Sequence, residues 1–241
     1  ARDALATSLL REMDGRGLRP NVVAWTAAIG ACEQHGEWER SLELLNEMEA
    51  AGVKPNAITL RSVALACAPG GHWEHALAVV RGMAARGIKP SVGSYNAVLT
   101  AMRRVGEWAR ALSLLREMVD PLAPPAEEGA EPTPEDFRPR PNVASFNLVI
   151  SACEAAGQAE PALELLAMMQ DGARQRRAAQ AHGRAQEYLE LLDGTGNARL
   201  EHLSPDVVSY NVVLSACAKD ARLWERALDL LCNMEENGVD P

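Results

Sequence analysis

The chain is 241 residues long and 47% apolar, with 33 acidic against 24 basic side chains and a formal net charge of −9. No continuous apolar run approaches the roughly 18 residues of a membrane-spanning helix, and the acidic balance is the reverse of the basic excess that polyanion binders usually carry. Two Phe and three Tyr stand against abundant Ala, Leu, Glu, Arg and Met, a mixture that favours helix.

An internal repeat sets the order of elements. Met13, Met48, Met83 and Met118 follow one another at intervals of 35 residues, as do Trp38, Trp73 and Trp108, and Pro20, Pro55 and Pro90. Residues 1–21 read as a half unit, a second helix alone. Units follow at 22–56, 57–91, 92–142, 143–206 and 207–241, the last cut short. Both Ala1 and Pro241 fall inside a unit, so the chain reads as a fragment of a longer array.

Within a unit two helices are expected. The junction prolines stop the preceding helix. Thr59, Ser94, Ser145 and Ser209 are the expected N-caps of the first helices, because their hydroxyls can satisfy free amides. Trp25, Ile29 and Cys32 then form an apolar stripe at helical spacing. Gly36, Gly71, Gly106 and Gly157 mark the interhelical turn, and Trp38, Leu42, Leu45 and Met48 the stripe of the second helix. Second helices are expected to end at Gly17, Gly52, Gly87 and Gly238 in left-handed caps.

One helix pair cannot bury both stripes, so the fold class is all-α, with helix-turn-helix repeats stacked in a superhelical solenoid. Two insertions interrupt it. Residues 119–140 are rich in Pro and carboxylates and read as a disordered loop. In 170–204 the stretch from Ala173 to Leu192 is helix-prone, either extending the preceding helix or standing alone. One extra residue between Cys217 and Ala227 is expected to be absorbed in a turn.

The string Val207-Val-Ser-Tyr-Asn211, then Ala216-Cys217, a turn, Ala-Leu-x-Leu-Leu, Met and Gly-Val-x-Pro, recurs along the chain. It resembles the pentatricopeptide repeat, over nearly all of the sequence outside the insertions. The resemblance implies that each unit takes one base of single-stranded RNA and reads it with two side chains. One would be the residue after the helix-opening aromatic: Thr26, Asn96, Asn147 and Asn211, with Arg61 after Leu60. The other would follow the junction proline: Asn56, Ser91, Asn142 and Asp206.

By the family's pairing pattern, Thr26 with Asn56 would favour adenine and Asn147 with Asp206 uracil. Asn96 with Asn142 would favour a pyrimidine, cytosine first, and Asn211 also leans to pyrimidine. Arg61 with Ser91 leaves its base unassigned, so the reading is A-?-C/U-U-pyrimidine. Val23, Ile58 and Val208 would wedge bases apart, a role for which Gly93 and Ala144 are poor. Arg104 and Lys219 are the phosphate candidates. The family further implies residence in a mitochondrion or chloroplast, and RNA processing, stability or editing alongside other RNA-processing proteins. No cofactor, small-molecule substrate or membrane is implied. The alternative is a scaffold for protein–protein interaction, which the acidity would suit.

Plainer readings compete at several positions. The Trp38, Trp73, Trp108 and Trp224 set reads as core filling rather than a base platform. Cys32, Cys67, Cys153 and Cys217 share one phase of the repeat, and stacked helices about 8–10 Å apart keep them beyond disulfide reach. They read as small buried thiols. His72-Trp73-Glu74 matches the start of a zinc deaminase signature, but no Cys-x-x-Cys follows. The arginines at 174–184 read equally as a solvated face. No nucleophile or phosphate-loop motif supports catalysis, and no metal site is expected.

Overall fold

A computed structural model describes residues 18–119, 139–181 and 203–236, together with positions 10, 12 and 239. Among the described residues there are ten α-helices, one 3-10 turn and no strand. They belong to two compact units, one built on Ala1–Val105 and the other on Gly106–Ala130 with Pro139–Pro241. The first contains Val22–His35 (α1), Trp38–Ala50 (α2), Ala57–Cys67 (α3), Trp73–Ala85 (α4) and Val92–Arg104 (α5). The second contains Trp108–Val119 (α6), Val143–Ala155 (α7), Ala159–Ala181 (α8), Val207–Ala218 (α9) and Trp224–Glu236 (α10).

In the first unit the odd-numbered helices pack on one another in succession, α1 on α3 and α3 on α5. Helix α2 lies against both α1 and α3, and α4 against both α3 and α5. The second unit repeats the pattern: α7 packs on α9, and α8 touches both. Helices α2, α4 and α8 thus each close the gap between two consecutive first helices, which is how their apolar stripes find cover. Trp25, Ile29, Cys32, Leu45, Met48, Leu60 and Met83 form the core around α1 to α4. In the second unit Phe146, Ile150, Cys153, Leu166, Met169, Tyr210 and Met234 are buried. The Tyr210 hydroxyl, taken out of water, accepts a hydrogen bond from Gln170 Nε2 at 3.2 Å.

The expected unit starts at Val22, Ala57, Val92, Val143 and Val207 are the first residues of α1, α3, α5, α7 and α9. The expected caps, however, lie three residues too late. The N-caps are Asn21, Asn56, Ser91, Asn142 and Asp206, all in extended backbone. Thr59, Ser94, Ser145 and Ser209 are instead third helical residues, fully buried. Around Asn56, Asn142 and Asp206 they complete capping boxes: the cap oxygen takes the third residue's amide, and that residue's hydroxyl takes the cap's own amide.

Gly36 illustrates how tightly the interhelical turn is specified. Its φ of 69° lies in the left-handed region, and a Cβ there would sit 2.8 Å from Pro69 Cβ in the neighbouring turn. Only glycine satisfies both. Gly52 and Gly87 also have left-handed backbone (φ 74° and 67°), as expected, whereas Gly17 and Gly238 lie outside the described residues.

The insertion at 170–204 does extend the preceding helix, for α8 continues to Ala181; residues 182–202 lie outside the description, as do 120–138 of the other insertion. The extra residue before Ala227 is accommodated by a 3-10 turn over Ala221–Leu223, capped by Asp220. The tryptophans correct the core-filling expectation. Trp38, Trp73 and Trp108 are only half-buried, and Trp224 is 59% exposed. Each opens a second helix, at the end of its packing stripe, where cover from the next helix runs out. Trp38 instead stacks on His72 and His75, with ring centroids 4.4 and 4.6 Å away.

Candidate functional site

The two residue positions singled out in each unit lie at the N-terminal ends of the first helices. The residue after the junction proline is the N-cap, and the residue after the helix-opening aromatic is the fifth helical residue. Because α1 packs beside α3 and α7 beside α9, the fifth residue of α1 and of α7 lies next to the cap of the following first helix in its own unit. The sequence separates these positions by 30 residues in the first unit (Thr26 and Asn56) and 59 in the second (Asn147 and Asp206), yet the fold brings each pair together.

On α1 and α3 the pair is joined through an intermediary. The Thr26 and Thr59 hydroxyls lie 2.7 Å apart, and Thr59 Oγ1 donates to Asn56 Oδ1 at 3.0 Å. Asn56 Oδ1 also accepts the Thr59 amide at 2.9 Å as the cap of α3. On α7 and α9 the pair meets directly. Asn147 Nδ2 donates to both carboxylate oxygens of Asp206, at 3.0 and 3.3 Å. The orientation of the Asn147 amide follows from chemistry: a carboxylate only accepts, so the NH2 must face it. Ser209 Oγ then donates either to Asn147 Oδ1 (2.6 Å) or to Asp206 Oδ1 (2.8 Å).

Partial burial pushes the Asp206 carboxyl up, but the Ser209 amide, Asn147 Nδ2 and the Ser209 hydroxyl together outweigh it and hold the group below its ordinary value. It therefore stays ionised at neutral pH. Asp206 remains exposed and keeps unused acceptor capacity, and Asn147 keeps a second N–H. The pair can accept from one group and donate to another a few ångströms away, which is the pattern needed to read the edge of a base.

The remaining candidates fall as follows. Asn142 caps α7, accepting the Ser145 amide at 3.0 Å, and Asn96 is half-buried on α5. Ser91 caps α5, accepting the Ser94 amide at 3.2 Å. Asn211 is exposed on α9. Val23, Ile58 and Val208 occupy the second position of α1, α3 and α9, beside the polar caps, and are 69%, 64% and 53% exposed. Lys219 is tied to Glu154, with Nζ 2.7 Å from Oε1 and donating to the Glu154 carbonyl at 3.1 Å. Arg104 is exposed at the end of α5.

Sequence reasoning missed the buried hydroxyls of Thr59 and Ser209 as members of these clusters. Their signal was present: a hydroxyl recurs three residues after four of the five caps, and only Asn21 is followed there by an alanine, Ala24. His72, from the deaminase-like string, precedes α4 as its cap residue. Among the described residues no group of three or more His, Cys, Asp or Glu could hold a metal ion.

Comparison with known families assigns the same segments. Models of the PPR repeat family match residues 20–69, of the pentatricopeptide repeat domain residues 78–124, and of the PPR repeat residues 144–172 and 208–239. Among solved structures, the pentatricopeptide repeat protein PPR10 from maize is 28% identical over the whole chain, with a TM-score of 0.52. The same protein in complex with an 18-nt psaJ RNA element gives 26% identity and a TM-score of 0.53. The chain spans about a third of that protein, 33% and 32% in the two structures. The PPR domain of Arabidopsis thaliana protein-only RNase P 1, solved with tRNA, matches at 18% identity and a TM-score of 0.55, over 70% of this chain and 81% of that one; this is a likeness of fold. No curated protein matches the chain significantly.

Proposed function

Because the chain belongs to the pentatricopeptide repeat family, we propose that it binds single-stranded RNA, adjacent first helices within a compact unit taking one base. The observation that carries this reading is the direct meeting of Asn147 with Asp206 at exposed helix N-termini. Asp206 accepts the ring N–H of uracil while the free Asn147 N–H donates to a neighbouring carbonyl. At α1 and α3, Thr26 and Asn56 face adenine: the Thr26 hydroxyl, whose proton goes to the Val22 carbonyl at 2.7 Å, accepts from the amino group, and the Asn56 NH2 donates to the ring acceptor. Asn96 and Asn211, each taken by itself, lean to pyrimidines. Val23, Ile58 and Val208 supply apolar faces against which bases stack.

The complex of the maize protein with an RNA element supports the ligand class. By analogy with the family, the proposed role is processing, stability or editing of transcripts in a mitochondrion or chloroplast, with partners among other RNA-processing proteins. A second reading, a scaffold for proteins, is favoured by the net charge of −9 and by the Lys219–Glu154 pairing, which spends one of few candidate phosphate contacts.

Fluorescence anisotropy with a labelled RNA of core A-N-C-U-U distinguishes the two. The RNA reading expects binding that weakens with salt along a shallow slope, about −0.7 per phosphate contacted. It also expects Asn147→Ala to lower affinity and relax the preference for uracil at its position. Failure of the chain to bind any single-stranded RNA at low salt sinks it and leaves the scaffold.

A further inference from the structure

The second position of a first helix carries an exposed aliphatic residue on α1, α3 and α9, but on α5 it is Gly93. The space is not left open. A Cβ built on Gly93 would lie 3.1 Å from Nε, 3.4 Å from Cζ and 3.5 Å from Cδ of Arg61, so the distal side chain of Arg61 runs directly across that spot. Arg61 is the fifth residue of α3, where α1 has Thr26 and α7 has Asn147. It is exposed, and it has no hydrogen-bond or ion-pair partner among the described residues. Two departures from the repeat, one too large and one too small, therefore occupy one place.

We propose that Arg61 is the stacking wedge of the α3–α5 step, its guanidinium plane filling the place that Gly93 vacates, so that the base here is held by its face and not read at its edge. The proposal rests on the RNA-binding reading. A guanidinium is planar, weakly hydrated and always charged, and stacks well on aromatic rings. Every base has such a face, so this step holds a nucleotide without choosing it. Gly93 is needed because any side chain there would push the guanidinium aside. The lone edge-reading candidate left at this step, Ser91, spends its hydroxyl on capping α5 and on Ser94, 3.1 Å away.

The test uses four RNAs of core A-N-C-U-U, with N as each base in turn, and four proteins: the unsubstituted chain, Arg61→Ala, Arg61→Lys, and Arg61→Ala with Gly93→Ile. The unsubstituted chain is expected to bind all four RNAs within about threefold. Arg61→Ala should weaken all four alike, by roughly fivefold or more, and Arg61→Lys should weaken them too, since an ammonium keeps the charge and loses the plane. Adding Gly93→Ile should recover most of the loss without restoring any charge, because it recreates the aliphatic wedge of α1, α3 and α9. A loss confined to one base would assign Arg61 to edge reading and overturn the proposal. So would full affinity in Arg61→Lys, which points to a phosphate contact, or a double variant with an unchanged melting temperature that stays as weak as Arg61→Ala. Binding of no RNA by the unsubstituted chain would overturn the RNA reading itself, and this inference with it.

Discussion

The α1–α3 and α7–α9 junctions solve the same geometric problem with different chemistry. At the first, two short side chains cannot touch, and the Thr59 hydroxyl bridges Thr26 to Asn56. At the second, the longer Asn147 reaches the cap unaided and Ser209 braces the pair from below. The first cluster is neutral throughout; the second carries an ionised carboxylate. A constant backbone arrangement therefore presents different donor and acceptor patterns without any change in helix packing, and only one of the two junctions responds to acid.

The largest effects expected are those that break both junctions from beneath. Leu60 and Phe146 open α3 and α7 as their fourth residues and are fully buried. Truncation of either to Ala should cost about 2–5 kcal/mol, read as a lower urea midpoint, and equal tolerance to both would mean the helices do not share this packing. Next come the caps. Asn56→Ala and Asp206→Ala should each cost about 1 kcal/mol, whereas Asp206→Asn keeps the cap oxygen and should lower the melting temperature at neutral pH by less than Asp206→Ala, losing only the contribution of the ionised carboxylate, while shifting base preference away from uracil.

The pH response separates the junctions further. The Asp206 carboxyl is held below its unfolded value, so its contribution is present above about pH 4 and fades as pH falls through the depressed folded value. A melt series from neutral to strongly acidic pH should lose part of its slope in Asp206→Asn, while Thr26→Ala leaves the slope alone. The smallest difference is expected at the thiols. Burial pushes Cys67 and Cys153 each up to about 11, one in each unit at the same phase of the repeat. Both should resist alkylation at pH 8 while exposed Cys232 reacts. Rapid labelling of one but not the other would reveal local opening in its unit.

The repeat made much of this legible from sequence. Helix starts were readable because junction prolines, glycine turns and apolar spacing are local signals, and the pairing of fifth residue with cap followed from resemblance. The cap itself was misplaced by three residues at Thr59, Ser94, Ser145 and Ser209, since Asn, Asp, Ser and Thr are all good caps, such residues stand at both positions, and only the backbone angles tell them apart. The exposure of Trp224 and the contact of Arg61 with Gly93 depend on which surfaces meet across separate helices. No local pattern records that.

One consequence concerns how freely such a chain can change its target. The side-chain oxygens of Asn56, Asn142 and Asp206 that would face a base also tie down the first turn of the helix behind them. Any replacement that gives up the cap oxygen costs about 1 kcal/mol, which favours Asn, Asp, Ser and Thr at these sites. Retargeting is thus mainly a choice among four letters that already start a helix well, and a greasy or bulky substitute would loosen the first turn behind its own reading head by about 1 kcal/mol.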